Sequence, residues 1–355
     1  MGRPKGSKGK NKLVPLSEES KKKVEKGLQE AKEGKIERID LEKELTPLTK
    51  EQKEKNEKLN SILRDINKDM GKDTVKYANT MEERTRIPFK QKCMNKLTGG
   101  GIVKGLYSTF WGSKGCAKTT LVLDLIAEAQ KAGNQCVYIN GERSYDPIYA
   151  KKRGVNVDTL VVVDAEQLED GLDIIIKLCK AKAADLIIFD SIHGLAPKAE
   201  LVAGKAEKDK STSDANMALR ARALTQFFEM GTAFVSNAKC AIVFIAQSRI
   251  DLSGFIKLEH LTGGHALMHN SRLILRCRRG QKADAPVEDK VTDNPKKDKE
   301  GNVMKDKNGE IKYEVEKVQL GFDLCVHVDK SQMEGCTELT EVHVPFYYSK
   351  GIVED

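Results

Sequence analysis

The chain of 355 residues is long enough for one large domain or two smaller ones with a real core. It is 32% charged and 39% hydrophobic, with a formal net charge of +8. That balance suits a soluble protein with polar tails or loops, and it favours phosphate-rich partners without proving them. No run approaches 18 uninterrupted apolar residues, which excludes a transmembrane helix, and the eight cysteines form no C-x-x-C pair, which argues against a disulfide framework or a zinc knuckle.

The chain opens on "MGRPKGSKGKNK", which carries five basic residues, no acid and no apolar core of the kind a signal peptide needs. Residues 1–50 are rich in Lys and Glu, which predicts a mostly disordered basic extension with a marginal helix over 17–33. The Gly-Arg-Pro among lysines resembles an AT-hook with a single arginine; a solubilising tail is the plainer reading. In "EQKEKNEKLNSILRDINKDMGK", residues 51–72, Leu59, Ile62, Leu63, Ile66 and Met70 recur at helical spacing. This predicts an amphipathic helix in a segment 51–86 that packs on its own core or docks on a neighbouring molecule.

From 87 to about 280, short apolar runs alternate with amphipathic stretches. "LYSTFWG", "QCVYING", "LVVVDA", "DLIIFDS", "CAIVFIAQS" and "RLILRCRR" read as strands, with helices from 118, at 146–153, at 168–183 and from about 214. The alternation predicts an α/β fold, a mainly parallel central sheet flanked by helices, in a core spanning 87–355. Residues 281–312 are dense in Lys, Asp and Glu and predict a charged hairpin insertion at about 281–316, where Asn308-Gly309 suits a two-residue turn. Apolar alternation resumes over 317–348.

The chemistry concentrates at "WGSKGCAKTT", residues 111–120. It follows a strand, precedes a helix and nearly matches the phosphate-binding pattern G-x-x-x-x-G-K-[ST]. Gly112, Ser113, Lys114, Gly115, Cys116, Ala117, Lys118, Thr119 and Thr120 would cradle a nucleotide. Lys118 would reach its phosphates and Thr119 would hold Mg²⁺. Ala117 stands where the pattern has glycine: in a helical conformation the methyl fits, at positive φ it costs about 1 kcal/mol. Cys116 sits at a helix N-terminus, which lowers a thiol pKa, although an inert cysteine is the commoner case. Asp190 ends an apolar strand and would orient the Mg²⁺ shell. Glu142, at the C-terminal end of the strand after the loop, could polarise an attacking water; a helix-start acid is its plain reading. The remaining histidines have no metal-ligand spacing and read as core or surface residues.

These segments resemble, in collinear order over about 55–355, the RecA/UvsX-type homologous recombinases. "NGERSYDPIYAKKRGVNVDTL" looks like the RecA segment with the catalytic glutamate, and "LIIFDSIHGLAPKAEL" like its Walker-B strand and first DNA-binding loop. "IVFIAQSRI" and then "LTGGHAL" look like the strand ending in a γ-phosphate-sensing glutamine and the second DNA-binding loop. "NEKLNSILRDINKDMGKDTV" resembles the helix that packs on an adjacent protomer, and "VHVDKSQ" the segment of trans-acting lysines. UvsX-type phage recombinases also carry a non-glycine residue before the Walker lysine.

The resemblance implies ATP and Mg²⁺ as cofactors, with Glu142, Lys118, Gln247 and Lys330 catalytic and Asp146 and Tyr149 at the adenine. It implies DNA loops at about 197–217 and 249–264, neither of which reads as regular structure. Met217, Arg222, Arg249, Ile250, Leu252, Gly263, Gly264 and His265 match DNA-contacting positions. The implied function is a DNA-dependent ATPase that forms filaments on single-stranded DNA and catalyses homologous pairing and strand exchange. Implied partners are single-stranded and homologous duplex DNA, further copies of the chain, and mediator and single-strand-binding proteins, in a bacterial or phage-infected cytoplasm and at no membrane. The alternatives are a ring helicase-like ATPase of the same fold and a weakly or non-hydrolysing structural filament protein that binds single-stranded DNA. Departures are Glu229 for an arginine near DNA, Gln332 for the second trans lysine, and Met268 and His269 at the protomer interface. The chain also stops at "YYSKGIVED", about where the family's core domain ends, so a family-type C-terminal duplex-capturing domain is expected to be absent. The basic tip is expected to take over that capture: deleting residues 1–15 should weaken duplex binding in a filter-binding titration, and unchanged binding would refute this role.

Overall fold

The computed structural model describes residues 49–71, 74–203, 212–251, 258–262, 264–281, 285–297, 303–306, 310–336 and 340–354. The basic tip and the helix expected over 17–33 lie outside them. The chain divides into one unit ending at Glu82 and another beginning at Glu83.

In the first unit, α1 spans Lys50–Met70. Thr49 starts it with a capping box: its hydroxyl accepts from Gln52 N, and the Gln52 side chain accepts from Thr49 N. None of its residues is buried, and Leu59, Ile62 and Met70 are exposed. The segment that follows returns along the helix, with Asn67 exchanging two hydrogen bonds of 2.8 Å with the Val75 backbone and Tyr77 donating to Asn60.

The second unit runs β1 (Arg86–Ile87), α2 (Lys92–Thr98), β2 (Ile102–Val103), β3 (Tyr107–Gly112), α3 (Lys118–Lys131), β4 (Cys136–Asn140), α4 (Pro147–Arg153), β5 (Val161–Val163), α5 (Leu168–Lys180) and β6 (Leu186–Asp190). It continues with α6 (Lys198–Ala203), α7 (Thr212–Ala238), β7 (Ala241–Asp251), β8 (Leu258–Leu261), α8 (Gly264–Asn270), β9 (Ser271–Arg279), β10 (Val287–Pro295), β11 (Tyr313–Gln319), β12 (Gly321–Ser331), β13 (Glu341–Tyr347) and β14 (Gly351–Ile352). The main sheet has the order β14-β13-β12-β9-β3-β7-β6-β4-β5. The strands from β9 to β5 pair in parallel, and β12, β13 and β14 extend the sheet antiparallel.

Strand periodicity explains the two-sided core. Tyr138, Ile188, Val243 and Ile245 face the layer with α3, whereas Val137, Ile139, Ile187, Phe189, Ile242 and Phe244 face the layer with α5 and α7. In that second layer Phe228 meets Tyr107 and Phe244 edge-on and Phe227 meets Phe244 edge-on, while Tyr107 stacks on Phe244, both favoured aromatic geometries.

Two expectations change. Residues 197–217 are not irregular throughout, since α6 and the start of α7 occupy them. In the span 249–264, β7 continues to Asp251 and pairs antiparallel with β8, from Ser248↔Leu261 to Asp251↔Leu258. The ladder satisfies backbone groups that an irregular loop would leave to water. In the charged insertion, Lys305 pairs with Ile311 and Asp306 N donates to Glu310 O, while Asn308 and Gly309, where a two-residue turn is expected, lie outside the described residues.

The unit is tied internally by a buried ion pair. Arg153 on α4 donates from Nε (2.8 Å) and Nη2 (2.5 Å) to Asp124 on α3, Gln91 adds a 2.7 Å bond to the same carboxylate, and Arg153 Nη1 reaches the Lys350 carbonyl. Losing one partner strands a charge. Arg153→Met is therefore expected to destabilise the protein by about 3–5 kcal/mol in urea unfolding. Adding Asp124→Leu should recover part of that loss.

Candidate functional site

The loop 112–117 joins the end of a fully buried strand to the start of a helix. Gly112 has φ 149°, and a Cβ there would run into the Cys277 carbonyl on the neighbouring β9. Ala117 has φ 62° and ψ 20°. It therefore occupies the left-handed region, the costlier of the two conformations open from the sequence. The Cys116 thiol is buried, and burial pushes its pKa up against the pull of the Lys118 ammonium. An acidic thiol at the helix N-terminus is thus corrected: desolvation outweighs the terminus.

Lys118 is buried, and its Nζ donates to the carbonyls of Gly112 (2.9 Å) and Ser113 (2.7 Å). Arg279, at the end of β9, holds the loop from outside. It donates to Gly115 O from Nε (3.2 Å) and Nη2 (3.1 Å) and lies over the Phe322 ring at 4.5 Å. Thr119 donates to Asp190 Oδ2 at 2.7 Å, and Tyr138 does the same at 2.7 Å. Burial raises the Asp190 pKa, with the Glu142 charge adding to it, while the two hydroxyl bonds pull it down. A hydroxyl beside a carboxylate is a hard oxygen donor set that fits Mg²⁺, and an ammonium on a glycine-rich loop that leads into a helix N-terminus fits phosphate.

Parallel register brings the remaining groups to this edge. Asn140 pairs with Asp190 and Gly112 pairs with Gln247. Gly141 N (2.7 Å) and Glu142 N (3.2 Å) both donate to the Asp190 carbonyl, which sets Glu142 beside the strand. Ser191 Oγ and Gln247 Nε2 then each donate to Glu142 Oε1 at 2.6 Å. Lys118, Thr119, Asp190, Glu142 and Gln247 thus share the C-terminal edge of the parallel strands, where α/β sheets bind ligands.

Other expected residues fall elsewhere or take added roles. Asp146 caps α4, accepting from Ile148 N (2.8 Å) and Tyr149 N (3.2 Å), and the Tyr149 hydroxyl bonds Thr120 Oγ1 at 2.7 Å. Lys330 donates to the Met268 (2.7 Å) and His269 (3.0 Å) carbonyls at the end of α8, and Gln332 accepts from Arg272 at 2.5 Å. Arg222 is exposed on α7 and lines a groove with Glu169 and Asp173 of α5. Met217 is also on α7. Arg249 and Ile250 lie on β7 opposite His260 and Glu259, and Gly264 and His265 begin α8. Leu252 and Gly263 lie outside the described residues.

Tyr138, Ser191 and Arg279 escaped sequence reasoning. Only strand register and burial bring them to the loop and to Asp190. Register also gathers Cys325, Glu341 and His343 into one cluster, although their spacing along the chain suggested no ligand group. Arg278 already sits on it, donating to Cys325 Sγ (3.2 Å) and Glu341 (2.6 Å).

The profile of the RecA N-terminal domain matches residues 57–320. The chain belongs to the RecA family. It is 34% identical to the RecA protein of Acinetobacter baylyi over 229 residues, 63% of this chain and 64% of that one. It is 38% identical to RecA of Rickettsia canadensis over 181 residues, 51% of each chain. With RecA of Teredinibacter turnerae it shares 34% over 229 residues, 63% of this chain and 65% of that one. The chain thus spans between about half and two thirds of the length of these relatives.

The strain at Ala117 is measurable. Ala117→Gly is expected to raise the unfolding free energy by about 0.5–1 kcal/mol, the left-handed relief less the added entropy of the unfolded glycine. The urea midpoint should rise at unchanged slope.

Proposed function

We propose that this protein is a DNA-dependent ATPase that polymerises on single-stranded DNA and promotes homologous pairing and strand exchange. The observation that carries this reading is the Gln247–Glu142 hydrogen bond of 2.6 Å. It joins the base beside the phosphate loop to the strand that runs directly into the β7–β8 hairpin.

On this reading Lys118 leaves its loop carbonyls for the β- and γ-phosphates of ATP, and Thr119 and Asp190 hold Mg²⁺, which neutralises phosphate charge when bound. Glu142 acts as general base. Ser191 stays on its Oε1 when Gln247 turns to the nucleotide, so Oε2 is the acceptor for the water proton. The water oxygen bonds the γ-phosphorus as the β–γ bridge breaks, and ADP leaves with the bond electrons. Gln247 exchanges Glu142 for the γ-phosphate, and that exchange alters the base of the hairpin. Arg249, Ile250, Leu252, Gly263, Gly264 and His265 then meet DNA there, with Met217 and Arg222 contributing from the first loop.

The exposed apolar stripe of α1 supports self-assembly, because a monomer gains nothing by leaving it in water. Lys330 supplies a trans cation to the neighbour's nucleotide. Mediator and single-strand-binding proteins are further partners in a bacterial or phage-infected cytoplasm. Among the described residues no helix is long and apolar enough to cross a membrane. The left-handed Ala117 favours one second reading, a slowly hydrolysing filament protein.

The test is ATP turnover with and without single-stranded DNA, with filaments imaged in the same mixture. Wild type should be stimulated by DNA, and Lys118→Ala should be inactive. Glu142→Gln should lose at least about 100-fold in turnover while still binding nucleotide. Turnover in wild type no higher than in Lys118→Ala would sink the enzyme reading and leave the filament one.

A further inference from the structure

We infer that His193 is a positioning residue: its neutral imidazole locks the backbone of Gln247 to Thr262 and makes the sensing glutamine and the β7–β8 hairpin one mechanical body. The link to turnover rests on the function proposed above; the lock itself does not.

The lock is a closed ring of three hydrogen bonds. Gln247 N meets His193 Nδ1 at 3.3 Å, His193 Nε2 meets Thr262 Oγ1 at 2.6 Å, and Thr262 Oγ1 meets Gln247 O at 2.5 Å. Only one assignment of protons satisfies all three. The Gln247 amide can only donate, so Nδ1 accepts. The Gln247 carbonyl can only accept, so the Thr262 hydroxyl gives it its single proton. Nε2 must then carry the ring proton and donate it to Thr262. A protonated imidazole would break the ring at Nδ1. Burial holds the His193 pKa down to about 3, assisted by Arg220, Arg249 and Lys118, so the neutral form persists at ordinary pH.

The place of the ring gives it a consequence. Gln247 is the last residue of β7 before the hairpin ladder opens at Ser248↔Leu261, and Thr262 is the first residue after the other arm. Ser248 adds a hydroxyl bond to Glu259 within the ladder. The ring therefore closes the hairpin at its base, one peptide from the side chain that holds Glu142. His193 itself stands on the turn after Asp190, which is strapped to β7 by Ile192 N to Ile245 O at 3.1 Å. Without the imidazole, Gln247 could still reach a phosphate, but the hairpin arms would no longer have to follow.

The test uses the full-length protein and the variants His193→Ala and His193→Asn. The Asn Oδ1 stands one atom beyond Cγ, as the imidazole Nδ1 does, so it can keep the bond to Gln247 N. Hydrogen–deuterium exchange of the segment 241–251 is followed together with the kcat and KM of DNA-stimulated ATP turnover. In His193→Ala the Gln247 amide should exchange at least about tenfold faster, and kcat should fall about tenfold while the KM for ATP stays within about twofold, the scale of one lost hydrogen bond. His193→Asn keeps the bond to Gln247 N but has no atom where Nε2 meets Thr262, so it should recover the exchange protection and not kcat. Unchanged exchange in His193→Ala, or an asparagine variant that recovers kcat fully, would overturn the proposal. If wild type shows no DNA-stimulated turnover, the functional reading fails and the exchange result alone decides the lock. Should His193→Ala not fold, Thr262→Val removes the other side of the ring: it keeps the Gln247 N bond to His193, so kcat should fall about tenfold with the KM for ATP within about twofold, and an unchanged kcat would overturn the proposal.

Discussion

Asp190 is a carboxylate taken almost wholly out of water, and most of the site is arranged around that cost. The Thr119 hydroxyl meets it from the phosphate-loop helix and the Tyr138 hydroxyl from the adjacent strand. Its own backbone carbonyl takes the amides of Gly141 and Glu142. One residue thus fixes the loop, the neighbouring strand end and the candidate base relative to each other. The same burial keeps its pKa raised, which suits a group completed by a cation rather than by a permanent protein partner.

The phosphate loop is held tightly enough to keep an unfavourable backbone. Gly112 is pressed against β9, Lys118 is drawn under the loop by two carbonyls, and Arg279 clamps Gly115 from outside. These contacts over-determine the turn, so Ala117 stays left-handed despite its methyl group, which packs partly buried against the core. The strain is thus held in place by its surroundings.

From Asp190 outward, polar contacts pass through Glu142 to Gln247 and then through His193 and Thr262 into the hairpin. Each step joins a rigid strand end to a loop. Coupling between two sites needs a continuous element with two arrangements. Here the exchangeable contact is the single Gln247–Glu142 bond, and beyond it the path runs through the His193–Thr262 ring into the paired backbone of the hairpin.

Much of this was legible in one dimension. Apolar runs at strand length and amphipathic helices between them located the parallel sheet; the strand-turn-helix pattern singled out Gly112, Lys118 and Thr119; Glu142 just after "VYING" and Asp190 in "LIIFDS" stood out as carboxylates at strand ends; and Gln247 was singled out by the resemblance to RecA. These signals are local: periodicity reports which face is buried, and a strand-turn-helix pattern reports where amides converge. Tertiary structure alone decided the φ of Ala117, the upward shift of Cys116, the hydroxyl of Tyr138 on Asp190, the clamp of Arg279, the hairpin in place of an irregular loop, and the His193 ring. Each of these depends on strand register or on burial, which bring together residues as far as 164 positions apart in the chain and set the dielectric around them. No spacing along the sequence carries that information.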